Sequence, residues 1–121
     1  LNGWKASKSG YLKDIIKNNR LIQKYLGTQP IYFRPPYGKI NYRAIHEVER
    51  FPLRIVMWSQ IYGDWLPKFS SPIALQYFKS HFQNRDILLL HDSPKAIGNI
   101  KIFLPMLLRY IKDNRIDITS L

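Results

Sequence analysis

Three short segments hold the residues best suited to chemistry: Arg34-Pro35-Pro36-Tyr37-Gly38, Gly63-Asp64-Trp65 and Leu88-Leu89-Leu90-His91-Asp92. Each follows an apolar run, where a strand ends. An arginine, an aspartate and a histidine at the ends of successive strands are parts of a hydrolytic site, because parallel strands of an α/β fold open onto one rim. Arg34, stiffened by the two prolines behind it, is a fixed cation suited to stand beside a catalytic carboxylate or a developing oxyanion. Just past those prolines, the Tyr37-Gly38 turn can aim a backbone N–H at negative charge developing on a substrate. A plain surface arginine, and a tyrosine packed on the next helix, remain open as alternatives. Asp64-Trp65 pairs a carboxylate able to orient a neighbouring base with an indole on which a sugar face can stack. On its own the pair also fits a turn aspartate beside a core tryptophan. His91 ends the most apolar strand, and imidazole both gives and takes protons near neutral pH. We read it as catalytic because Asp92 follows it and two other rim segments accompany it. His46 and His81 read as surface residues on helices, and no pair among the three histidines has metal-ligand spacing beside a carboxylate.

The elements that must position these residues are legible as periodicity. From Tyr11 to Leu26, the residues Leu12, Ile15, Ile16, Ile22, Tyr25 and Leu26 recur at three- and four-residue steps, predicting a helix that Gly27 stops. Ile31-Tyr32-Phe33 reads as a strand that the paired prolines must end. Asn41 is placed to cap a second helix running to about Arg50, with Ile45 and Val48 inward, and Leu53 to Trp58 reads as a buried strand. Ser71-Pro72 reads as a capping hydroxyl and first-turn proline, opening a helix with Leu75, Phe78 and Phe82 on one side. Ile87 to Leu90 predicts a strand covered on both faces. The last helix is expected over Asn99 to Asp113, burying Ile100, Phe103, Leu104, Leu107, Leu108 and Ile111, with Pro105 either kinking it or marking its true start. A terminal strand is expected near Ile116 to Thr119. Strict helix–strand alternation implies parallel strands with helices outside, and the three segments fall at the carboxyl ends of those strands.

A chain of 121 residues with 45% hydrophobic content fits one domain with an ordinary core. No run approaches the roughly 18 apolar residues of a membrane-spanning helix. Cysteine is absent, which excludes disulfides and thiolate-ligated metals and leaves the compartment open. The formal charge of +11 is spread along the chain with no run of five or six basic residues, so we read it as a solvated basic surface, not as a specific nucleic-acid site. The first residues, Leu1-Asn2-Gly3-Trp4-Lys5, read as the interior of a longer protein.

Taken together and in this order, the three segments resemble the later motifs of the polysaccharide deacetylases, the NodB-like carbohydrate esterases of family four. The resemblance covers the whole chain, residues 1–121, as the carboxyl-terminal portion of such a domain. It implies an incomplete, distorted (β/α) barrel of TIM-like type lacking its first strands. It also implies hydrolysis of N-acetyl groups on amino sugars of a glycan such as peptidoglycan or a chitin-like oligomer, with a divalent metal, commonly zinc, in the complete domain. On this resemblance Arg34 positions the catalytic aspartate, the Tyr37 N–H belongs to the oxyanion hole, and Asp64 tunes the general acid. Trp65 and Leu89 wall the acetyl groove, and His91 protonates the leaving amine. Two earlier motifs of the family, a Thr-Phe-Asp-Asp segment and a His-x-x-x-His segment that supply the base and metal ligands, do not occur in the chain. The chain alone is therefore expected to bind no metal and to be inactive. The alternatives are a non-catalytic module that binds glycan through Trp65 and, less favoured, a basic nucleic-acid binder.

Overall fold

The computed structural model describes residues 8–121, so the Leu1-Asn2-Gly3-Trp4-Lys5 stretch lies outside the described residues. The chain divides into two compact units, Leu1–Met57 and Trp58–Leu121.

In the first unit, helix α1 (Lys8–Leu26) precedes strand β1 (Tyr32–Phe33), a 3₁₀ turn (Pro36–Gly38), helix α2 (Tyr42–Glu49) and strand β2 (Arg54–Ile55). Gly27 ends α1 as expected, with a positive φ of 69° and its N–H bonded to the Gln23 carbonyl. The face of α1 that is buried is narrower than its periodicity predicts. Tyr11 and Ile15 are buried, while Tyr25 and Leu26, on the last turn, are more than two-thirds exposed at 73% and 71%. Asn41 caps α2 through its side chain, which accepts the Ala44 N–H at 2.9 Å. β1 and β2 pair in parallel, Tyr32 opposite Arg54 and Phe33 opposite Ile55. Tyr11, Ile15, Ala44, Val48 and Leu53 form the core, with Phe33, Ile40, Phe51 and Ile55 packed against it.

In the second unit, strand β3 (Gln60–Ile61) is followed by helix α3 (Ser71–His81), strand β4 (Leu88–Leu89) and helix α4 (Ile97–Asp113). β3 and β4 pair in parallel, Gln60 opposite Leu88 and Ile61 opposite Leu89. Ala74, Phe78, Phe103, Leu107 and Ile111 make the core, where each fully buried aromatic contributes about 1.5–3 kcal/mol by leaving water.

Several further expectations need correction. The run read as one strand from Leu53 to Trp58 is the shorter β2, and a separate strand β3 follows it, so β2 and β3 succeed each other without a helix between. β3 escapes a hydrophobic pattern because its buried residue is polar: Gln60, 6% exposed, donates to the His81 carbonyl at 3.3 Å and to Asp86, and accepts from the Tyr62 hydroxyl. β4 residues are half-buried, not covered on both faces. Ser70, not Ser71, is the residue before α3, and it makes no side-chain cap; Ser71 is itself the first helical residue. The final helix starts at Ile97 and runs through Pro105, which is exposed, so the carbonyl left unpaired one turn earlier faces the solvent side; Leu108, expected inside, is 45% exposed.

No strand forms after α4. The chain instead closes the helix with a Schellman arrangement. Arg115 takes φ +54°, its N–H bonds to the Lys112 carbonyl at 3.1 Å, and the Ile116 N–H reaches back to the Ile111 carbonyl at 3.0 Å. Ile116 then packs on the core of this unit, which directs its apolar side chain inward without any ladder.

Candidate active site around Asp64 and His91

The loop after β3 is built to carry a buried carboxylate. Gly63 takes φ +71°, and a side chain there would meet the Leu66 Cδ1 at 2.9 Å, so this position requires glycine. The Leu66 N–H closes the turn onto the Gly63 carbonyl at 2.8 Å. Asp64, within that turn, is wholly buried. Its position three residues past β3 is closer to a strand end than the sequence reading placed it, because β3 had not been recognised.

Burial of a carboxylate is tolerated only when its oxygens are bonded. Both Asp64 oxygens are spent on one residue. Oδ2 accepts the His91 main-chain N–H at 2.7 Å, and Oδ1 lies 2.9 Å from His91 Nδ1. A carboxylate can only accept, so Nδ1–H donates and the proton-exchanging nitrogen of the ring is Nε2. His91, two residues beyond β4, keeps its side chain 34% exposed, which leaves the ring open to solvent on the side away from Asp64. The Trp65 ring stands edge-on to the imidazole, with centroids 4.6 Å apart and an interplanar angle of 70°. Asp92, which neighbours His91 in sequence, is exposed; the carboxylate bonded to the imidazole comes from Asp64, 27 residues earlier. Leu89 sits half-buried in β4 opposite Ile61.

Asn99 belongs to this cluster and was not singled out from the sequence. From the first turn of α4 its Nδ2 donates to the Asp64 carbonyl at 2.8 Å and to the Leu66 carbonyl at 3.2 Å. An asparagine inside a helix carries no periodic signal, so only its poor helix propensity could have drawn notice.

Arg34 and Tyr37 belong to the first unit. Arg34 follows β1 directly, and its guanidinium is held by two carbonyls of the chain leaving β2: Nε donates to Val56 at 3.2 Å and Nη2 to Met57 at 3.3 Å. Pro35 is fully buried, anchoring the turn. In that turn Gly38 N–H bonds to the Pro35 carbonyl and Lys39 N–H to the Pro36 carbonyl, so neither bond uses the Tyr37 amide. Tyr37 takes φ +58°, a left-handed conformation costing a non-glycine residue about 1–2 kcal/mol. Its side chain is 82% exposed. The tyrosine therefore does not pack on α2.

His46 and His81 are exposed on α2 and α3. His46 contacts Tyr42 and Glu49 of its own helix, and His81 stacks on Tyr77 with its Nδ1 2.9 Å from the Tyr77 carbonyl. Among the described residues no three of His, Cys, Asp and Glu lie together as metal ligands, and the Asp64 and His91 atoms facing each other are already committed. The described residues do not fit a metal by themselves, and no step through one is assigned to them.

A polysaccharide deacetylase sequence model matches residues 2–56. The chain is 30% identical over 89 residues to the bifunctional xylanase/xylan deacetylase of Cellvibrio japonicus, covering 74% of this chain and 13% of that protein. It is 27% identical over 90 residues to a peptidoglycan-N-acetylglucosamine deacetylase of Bacillus cereus, covering 74% of this chain and 32% of that one. The chain thus spans a third or less of the length of these curated relatives. In structure, all of it superposes on 56% of the Bc1960 peptidoglycan N-acetylglucosamine deacetylase with a TM-score of 0.86 at 22% identity, which shows a shared α/β fold. In the order of its three motifs, in this match and in this fold, the chain is similar to the polysaccharide deacetylases.

Proposed function

We propose that the chain supplies part of the active site of a hydrolase that removes N-acetyl groups from amino sugars of a glycan, peptidoglycan or a chitin-like oligomer, within a NodB-like (β/α) barrel of which residues 1–121 form the carboxyl-terminal portion. The observation that carries this reading is the Asp64–His91 pair with Trp65 against it. In amide hydrolysis a water oxygen bonds to the carbonyl carbon, the C–N bond breaks, and the departing nitrogen needs a proton. His91, as the imidazolium, gives that proton from Nε2 and returns to the neutral ring with its proton on Nδ1. Asp64 holds the ring in the required tautomer and stabilises the imidazolium when it forms. The Tyr37 amide is the proposed donor to the developing oxyanion, and Arg34 the cation that positions the base of the complete domain. Trp65 and Leu89 are proposed to wall the groove for the acetyl group.

The divalent metal of the complete domain, commonly zinc, and its base are proposed to come from residues other than those described, so the 121-residue chain by itself is expected to release no acetate. The test is acetate release from N-acetylglucosamine oligomers and from peptidoglycan, by a protein joining this chain to the family's paired aspartates and histidines. Release that chelator abolishes and that His91→Ala lowers by about 10²–10⁴-fold supports the reading. No release from any acetylated glycan overturns it. Trp65 supports a second reading, a glycan-binding module without catalysis. That reading requires carbohydrate affinity indifferent to chelator and lost in Trp65→Ala.

A further inference from the structure

We propose that Asn99 is the positioning residue for Trp65: its side-chain amide, reaching out of the first turn of α4, fixes the peptide group that leads into Trp65, with a second bond one residue beyond it, and so sets the angle Trp65 presents to His91. The two carbonyls it binds belong to the residues immediately before and after Trp65. An amide NH₂ has two hydrogens, and these two acceptors use both. One side chain thus restrains the Asp64–Trp65 peptide plane, which leads into Trp65, and the Leu66–Pro67 plane just beyond it. The rest of the loop is held at other points, by the Leu66 N–H on the Gly63 carbonyl and by the Asp64 carboxylate on His91. The Leu66 carbonyl also accepts the Phe69 N–H at 3.1 Å, whereas none of those bonds restrains the carbonyl of Asp64. Without the amide, the Asp64–Trp65 peptide group that leads into the indole would lose its restraint, while the Leu66 N–H bond to the Gly63 carbonyl and the Asp64–His91 bonds would survive.

The consequence for substrate rests on the reading of Trp65 as a groove wall; the positional claim does not. If the indole lines the acyl groove, losing the amide loosens the fit around the acetyl group more than it disturbs proton transfer, so KM rises while kcat is largely kept.

The test compares Asn99→Ala and Asn99→Asp with the parent 121-residue chain by NMR. The aspartate keeps the shape and removes the donors. The shift that the neighbouring indole imposes on the His91 ring protons should fall by about half or more in both variants, with the Nδ1–H resonance retained. Unchanged ring-proton shifts in a folded Asn99→Asp protein overturn the proposal. Where the variants do not fold, the parent chain decides. Its Asn99 side-chain protons should exchange at least about tenfold more slowly than those of exposed Asn84, and equal rates overturn the proposal. In the complete domain, Asn99→Ala should raise KM about fivefold or more, and an unchanged KM overturns the groove consequence. Because the NMR measurements need no turnover, a glycan assay that yields no acetate leaves them decisive.

Discussion

Asp64 holds His91 at two points, through Oδ2 on the main-chain N–H at 2.7 Å and through Oδ1 beside Nδ1 at 2.9 Å. The loop after β3 is thereby fastened to the loop after β4, and the imidazole cannot turn without breaking a bond to a fully buried carboxylate. Asp64→Asn presents an NH₂ to one of two donors that both need an acceptor. Chemical denaturation of the 121-residue chain should show a loss of about 1–3 kcal/mol. An unchanged midpoint would mean that the pair is not formed in solution.

Arg34 spans two successive carbonyls, those of Val56 and Met57, with the fork of its guanidinium. Lysine is a point charge on a flexible stem and cannot reproduce that grip. Arg34→Lys should shift the stability of this exposed position by no more than about 0.5 kcal/mol, yet lower acetate release by the complete domain at least about tenfold. Wild-type turnover in Arg34→Lys would remove Arg34 from the site.

Asp86 couples acid to the stability of the second unit. Desolvation pushes its carboxyl up, but hydrogen bonds from Ser59, the Gln83 N–H and Gln60 outweigh it and leave the group below the usual carboxylate value. A depressed folded-state value means that the unfolded chain takes up the proton first as pH falls. The stabilisation is complete above the ordinary carboxylate range and disappears as pH drops through the lowered value. Denaturation midpoints between neutral pH and pH about 3 should therefore fall less steeply in Asp86→Asn than in the parent. Parallel curves would contradict this account.

Tyr11 is 4% exposed and its hydroxyl has no hydrogen-bond partner among the described residues. Burial pushes its phenol above the usual tyrosine value, so it stays neutral throughout the ordinary pH range. Its ring meets Phe33 edge-on at 6.1 Å, a contact that Tyr11→Phe preserves. Removing an unsatisfied buried hydroxyl should raise stability, by up to about 1–3 kcal/mol in a urea melt. A loss of similar size would show that the hydroxyl has a partner in solution.

Local chemistry was legible where one residue acts on its own neighbourhood. Asn41 is a cap because its side chain reaches an amide three residues away, and Gly27 ends α1 because a positive φ is cheap there. The three motif segments could be picked out because each follows an apolar run, and their roles were expected from a family resemblance, not from spacing. Beyond the reach of neighbours, periodicity misled. β3 exists because Ser59 and Gln60 both direct their N–H groups to the Ile87 carbonyl, and nothing within the residues around Gln60 announces a partner 27 positions on. The terminal run read as a strand has no ladder partner and turns back onto α4.

The amino-acid sequence by itself determined which groups are present: one histidine at a strand end, a carboxylate beside an indole, an arginine ahead of two prolines, and a family order for all three. Which carboxylate holds His91 was decided only by the tertiary structure. Asp92 is adjacent along the chain, but pairing β3 with β4 brings Asp64 to the main-chain nitrogen and Nδ1 of His91 and sets Asn99 against the carbonyls around Trp65. Hydrogen bonds act over about 3 Å of space regardless of sequence separation, and only the folded ladder supplies that proximity.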